Sequence, residues 1–122
     1  MLDFDLIYKI THSFYEKAVG DIFIGYHFRV IEDFNQHIPR IARFWLLQLN
    51  GEIKDKNDLP YKLLEVHQKL PLKRGEINRW EILFTETLEE FKKSKEINDI
   101  QYQQWLDKIA SMKEKITQQA LR

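Results

Sequence analysis

Four histidines, His12, His27, His37 and His67, are the side chains of this sequence best suited to ligate a metal or to move a proton near neutral pH. No two of them stand four residues apart, so a helical two-histidine metal clip is excluded, and no Glu-x-x-His supplies a di-iron spacing. Cysteine is absent, which removes thiolate zinc sites, disulfides and thiol nucleophiles together. Nucleophile elbows, phosphate-binding glycine loops and paired-carboxylate signatures are missing as well. His67 is the most informative of the four. It lies beside Val66, one turn from Leu63 and Leu64, and four residues before Pro71. A histidine on such an apolar face is ordinarily a core residue with one hydrogen bond, yet a single neutral imidazole also suffices as the only protein ligand of a haem iron. His37, with Ile41 and Phe44 one and two turns onward, reads by itself as a part-exposed histidine of a first helical turn. Tyr15 reads as a rim tyrosine with its hydroxyl in water or as a donor aimed into a pocket, and Trp80 as core filling.

Helices must position these groups. Phe4, Ile7, Ile10, Phe14 and Ala18 recur at steps of three and four, with Asp3 placed to cap that helix and Gly20-Asp21 to end it. Residues 22–29, with Gly25 inside, are too brief and irregular for a long helix. A second helix beginning near Asn35 carries Ile38, Ile41, Trp45 and Leu49, with Phe34 ahead of them. Pro39 fits it only near the first turn, where a missing N–H costs nothing. Asn50-Gly51 closes it, and 52–58 is a charged loop. Asp58 and Pro60 open a short helix with Tyr61, Leu63, Leu64, Val66 and His67, which Pro71 must end. Ile77, Trp80, Phe84, Leu88 and Phe91 form the stripe of a helix starting near Glu76, and Lys92-Lys93-Ser94-Lys95 suits its C-terminal end. Tyr102, Trp105, Ile109, Met112 and Ile116 mark the last helix. No strand-like alternation and no repeat is visible, which predicts one all-α domain over 1–122.

Composition bounds the partners. The chain has 122 residues, enough for one core, with 19 basic and 19 acidic side chains and a net charge of zero. That balance argues against nucleic acid, where a basic excess supplies affinity. No apolar run approaches the ~18 residues of a membrane span. The acidic N-terminus is unlike a secretory signal, so the expected location is cytoplasmic. Aromatic residues make up 13% while Gly counts 4 and Pro 3, a profile that suits helices built around something bulky or flat.

Five segments, in order, resemble the group III truncated haemoglobins from the first helix to the last. Phe14-Tyr15-Glu16-Lys17 is similar to the family's Phe-Tyr pair. Asp21-Ile22-Phe23-Ile24-Gly25-Tyr26-His27-Phe28 is similar to its Asp-x-x-x-Gly-x-x-Phe. Phe34-Asn35-Gln36-His37-Ile38-Pro39-Arg40-Ile41-Ala42-Arg43-Phe44-Trp45 resembles its distal helix, His67-Gln68-Lys69-Leu70-Pro71 its proximal histidine, and Arg79-Trp80-Glu81-Ile82-Leu83-Phe84 the segment of its distal tryptophan. The chain departs from the pattern at Phe34, where the family has tryptophan, in a shorter connection between Phe28 and His37, and in the 52–60 loop, which lacks Gly-x-Tyr-x-Gly-x-Pro.

The resemblance implies a truncated globin fold, a 2-on-2 helical sandwich around haem b. His67 would be the proximal ligand of a five-coordinate iron, with Tyr15, His37 and Trp80 on the distal side. Phe28, Ile41, Phe44, Trp45, Leu63, Leu70 and Phe84 would cover the porphyrin, and Arg40 would meet a propionate. Dioxygen, CO and NO are the implied ligands. Three distal donors retain a ligand that carries partial negative charge, which suits redox chemistry or sensing better than bulk transport. The same donors suit nitric oxide dioxygenation or peroxide cleavage, either of which would draw electrons from an external reductase. The competing reading is a haem-free helical interaction module, with the Trp105-Ile109-Met112-Ile116 stripe as its partner surface.

Overall fold

The computed structural model describes residues 2–29, 34–50 and 74–120. Among them the chain is helical, with no strand: α1 (Phe4–Val19), α2 (Gly25–Arg29), α3 (Phe34–Asn50), α4 (Arg74–Lys93) and α5 (Asp99–Ala120). The expected short helix around Leu63, His67 and Leu70 lies outside the described residues. No described helix is long and apolar enough to cross a membrane.

The Asp3 carboxylate caps α1 by accepting the Leu6 N–H at 2.8 Å. The chain leaves α1 with the Asp21 N–H donating to the Ala18 carbonyl at 3.1 Å. Pro39 sits inside α3, five residues after its first, so the N–H it lacks is that of the second helical turn. α4 begins at Arg74, a half-turn before the expected Glu76, and ends at Lys93 as its lysine run predicts. There the Glu96 N–H returns to the Phe91 carbonyl at 3.0 Å, and Lys95 takes a left-handed φ of 66°. Asn98 then opens α5 by a reciprocal box: its Oδ1 accepts the Gln101 N–H at 2.7 Å, and the Gln101 side chain accepts the Asn98 N–H at 2.9 Å.

α1 packs on α3, α4 packs on α5, and the two pairs meet through α1 on α4 and α3 on α5. The helical stripes converge in one core of Ile7, Ile10, Phe14, Ile41, Trp45, Phe84, Leu88, Trp105 and Ile109. Burying side chains of this size contributes about 1.5–3 kcal/mol each, which outweighs the modest propensity of the β-branched residues for helix. Two buried threonines return their hydroxyls to their own helices, Thr11 to the Ile7 carbonyl at 2.8 Å and Thr87 to the Leu83 carbonyl at 2.9 Å. Trp105, Ile109, Met112 and Ile116 are all buried in this core. The α5 stripe therefore faces the chain's own interior and not a partner.

Candidate functional site

α1 delivers Tyr15 and α3 delivers His37 to one point. The Tyr15 Oη stands 2.9 Å from the His37 Nε2. Tyr15 is buried, because it follows Phe14 at the edge of the apolar stripe that seats α1 on its neighbours. His37 is half-buried in the first turn of α3. Burial, and then the charge of nearby Arg40, hold the His37 imidazole below its ordinary value of 6.5. It is therefore neutral at neutral pH, one ring nitrogen donating and the other accepting. With the proton on Nε2, His37 donates to the phenol oxygen and leaves the phenol O–H to donate elsewhere. With the proton on Nδ1, Nε2 accepts the phenol's proton instead. The pair can thus present a hydrogen-bond donor whose direction follows the histidine tautomer.

Aromatic rings wall this pair. The Phe28 ring stands edge-on to Tyr15 at 5.3 Å between centroids and to Phe14 at 5.9 Å. Phe14 lies against Phe84 at 4.7 Å. Phe84 in turn meets Trp45 at 5.3 Å and Trp80 at 6.0 Å, and Trp45 meets Phe44 at 5.2 Å. Ile41, Phe44, Trp45 and Phe84 are buried, Phe28 and Trp80 are half-buried, and Arg40 is exposed on the rim of α3. Tyr15 is thus in direct contact with His37 and with Phe28, while Phe84, Trp80 and Trp45 join it through Phe14. Leu63, His67 and Leu70 lie outside the described residues.

Short-range pattern gave no sign of several groups that shape this region. Phe14 reads as one stripe residue among five, yet it is the ring that links Tyr15 to Phe84. Asp21 follows α1 and organises the next turn by accepting the N–H groups of Phe23 at 2.9 Å and Ile24 at 3.1 Å. That turn aims α2, and hence Phe28, at Tyr15. Glu76 gathers Tyr26 and His27 from α2 onto α4. The Asp21 turn is local, but Phe14 with Phe84 and Glu76 with Tyr26 and His27 stand far apart in sequence, so no local spacing could reveal them.

The residues present fit a flat aromatic prosthetic group on the side described. A neutral imidazole and a phenol share one hydrogen bond, large apolar rings surround them, and a cation stands at the exposed edge. Among the described residues no three His, Asp or Glu side chains gather as a metal site. Comparison with family models, curated proteins and solved structures yields no match to this chain.

Proposed function

We propose that this chain binds haem b as a group III truncated haemoglobin does, with His67 as the residue that would hold the iron and the Tyr15–His37 pair as the residues that would meet its ligand. The observation that carries the reading is the 2.9 Å contact between the Tyr15 Oη and the His37 Nε2. The resemblance assigns both residues to the distal side, and they meet although they come from different helices. The packing of the α1–α3 pair on the α4–α5 pair further supports a 2-on-2 helical sandwich.

Haem supplies an iron with one open position at which dioxygen, CO or NO binds reversibly. The chain's residues do the rest. Phe28, Ile41, Phe44, Trp45 and Phe84, with Leu63 and Leu70, would exclude water from the porphyrin, and Arg40 would pair with a propionate. Tyr15 donates to a diatomic ligand that carries partial negative charge, while neutral His37 fixes the phenol's direction. Trp80 offers an indole N–H from α4. Several donors around one ligand favour slow release, hence sensing or redox chemistry with dioxygen, nitric oxide or peroxide, its electrons drawn from an external reductase. The interaction-module reading has lost its groove, since the α5 stripe is core.

A haem titration followed by absorption tests the proposal, with His67→Ala beside the wild type. Stoichiometric uptake is expected, with a Soret band and visible bands that shift on dithionite and CO, and with these features weakened or altered in the variant. Failure of the wild type to take up haem overturns the reading.

A further inference from the structure

A second polar cluster joins α2 to α4. The Tyr26 hydroxyl donates to the Glu76 Oε2, and the His27 Nε2 stands 3.1 Å from that same oxygen. The side chains of His27 and Glu76 are each only 10% exposed, whereas Tyr26 is 45% exposed. The Tyr26 and His27 rings lie 4.1 Å apart. A carboxylate so withdrawn from water is costly unless donors replace its hydration, and the phenol and the imidazole supply two. The cluster is held in place independently, because the Asp21 carboxylate orders the turn before α2 and the Arg29 guanidinium ties the end of α2 to the Val19 carbonyl at 3.0 Å.

We infer that Tyr26 is a redox-active tyrosine, which gives one electron to an outer-sphere oxidant at the surface while its proton passes to Glu76. The phenol O–H bond breaks, the Oε2–H bond of Glu76 forms, the oxidant is reduced by one electron, and a neutral tyrosyl radical remains. A small one-electron donor reverses the step, and the proton returns to the phenol oxygen. The hydrogen bond to Glu76 raises the phenol above its ordinary value of 10, so at neutral pH the proton must leave with the electron. An acceptor already in hydrogen-bond contact removes the need for that proton to enter water as the electron departs. The other described tyrosines lack this combination. Tyr15 is buried, and Tyr102, although it too donates to a carboxylate, the Glu89 Oε1 at 3.3 Å, is half-buried with a Lys92 ammonium 4.5 Å over its ring, which opposes the loss of an electron. Tyr8 is half-buried, and its ring neighbours are Phe4 and His12. The inference does not depend on haem, because the oxidant is supplied from outside.

The test mixes the full-length protein with hexachloroiridate(IV) in a stopped-flow instrument and follows loss of the iridium(IV) colour, with freeze-quench EPR to detect the tyrosyl radical. The wild type is expected to give a fast phase with a tyrosyl signal. Tyr26→Phe should lose both, and Tyr102→Phe should keep both. Glu76→Gln preserves shape and removes the proton acceptor, so its fast phase should slow by about a hundredfold, the lower end of what a positioned base contributes. A wild-type radical signal in Tyr26→Phe overturns the inference, as does a wild-type rate in Glu76→Gln. Should Glu76→Gln fail to fold, Tyr26→Phe decides alone, since it leaves the His27–Glu76 pair in place.

Discussion

The Arg79 guanidinium grips a single oxygen of Asp21, its Nε and its Nη2 each 2.8 Å from Oδ2, while the other carboxylate oxygen organises the turn into α2. One buried carboxylate therefore locks the chain after α1 onto α4. Burial pushes the Asp21 carboxyl up, but the bonds from Arg79, Ile24 and Phe23 outweigh it and hold the group below its ordinary value of 3.8. The stability this group contributes is therefore present above 3.8 and is lost as pH falls through its lower native value. Asp21→Asn keeps the shape and discards the charge, at a cost near neutral pH of about 1–3 kcal/mol. Urea midpoints of the two proteins should converge as the solution is acidified through the carboxylate range. A gap that stays constant with pH would remove Asp21 from the acid response.

Glycine plays opposite parts at two positions. A Cβ on Gly25 would lie 2.8 Å from the Val19 carbonyl oxygen and 3.1 Å from that of Ala18, with the Arg29 Nη1 closer still at 2.6 Å. The guanidinium can swing aside, but the backbone at the end of α1 cannot. Gly25→Ala should therefore destabilise by about 1–3 kcal/mol, despite the helical preference of alanine. Gly75, in the first turn of α4, has nothing within 4 Å of the same built atom. Gly75→Ala should stabilise by about 0.4–1 kcal/mol through the unfolded chain. Thermal melts of the two variants should move in opposite directions, and movement in one direction would contradict the packing assigned to α2.

The elements that follow a local rule were legible in the sequence. Asp3, the α1 stripe and the lysines ending α4 each announce themselves within a few residues, whereas Pro39, expected near the first turn, sits in the second turn of α3. The α5 start gives a weaker signal, although Asn98 and Gln101 stand at capping-box spacing, because asparagine and glutamine replace the more familiar serine and glutamate. Pairs such as Asp21 with Arg79 or Tyr26 with Glu76 carry no local signal, since tertiary packing alone decides which distant side chain arrives. Only the family resemblance sets Tyr15 and His37 apart together, and the residue that joins their surroundings, Phe14, reads by periodicity as ordinary core.

His37 predicts a second acid response in a different window. Its native value lies below 6.5, through burial and then Arg40, so the unfolded chain takes up this proton first as pH falls. The associated stability is complete above 6.5 and is lost as pH drops from there through the native value. His37→Gln should flatten the denaturation midpoint over that window and leave the more acidic Asp21 response intact. A wild-type slope in the variant would show that His37 does not govern it.

Under the proposed haem reading, the Tyr15 hydroxyl gives the sharpest test of the ligand-side arrangement. A hydrogen bond to a partly charged acceptor is worth about 1.5–3 kcal/mol, and each 1.4 kcal/mol is a factor of ten. Tyr15→Phe should therefore raise the dioxygen dissociation rate by roughly ten- to a hundredfold in stopped-flow displacement by CO. His37→Leu removes the group that directs the phenol without touching the phenol itself. It should leave a smaller increase, because a free hydroxyl still reaches the ligand for part of the time. The double variant should then dissociate no faster than Tyr15→Phe alone, since a histidine that acts through the phenol has nothing left to direct. Additive effects would mean that His37 contacts the ligand independently, and an unchanged rate in Tyr15→Phe would take the phenol out of the ligand network.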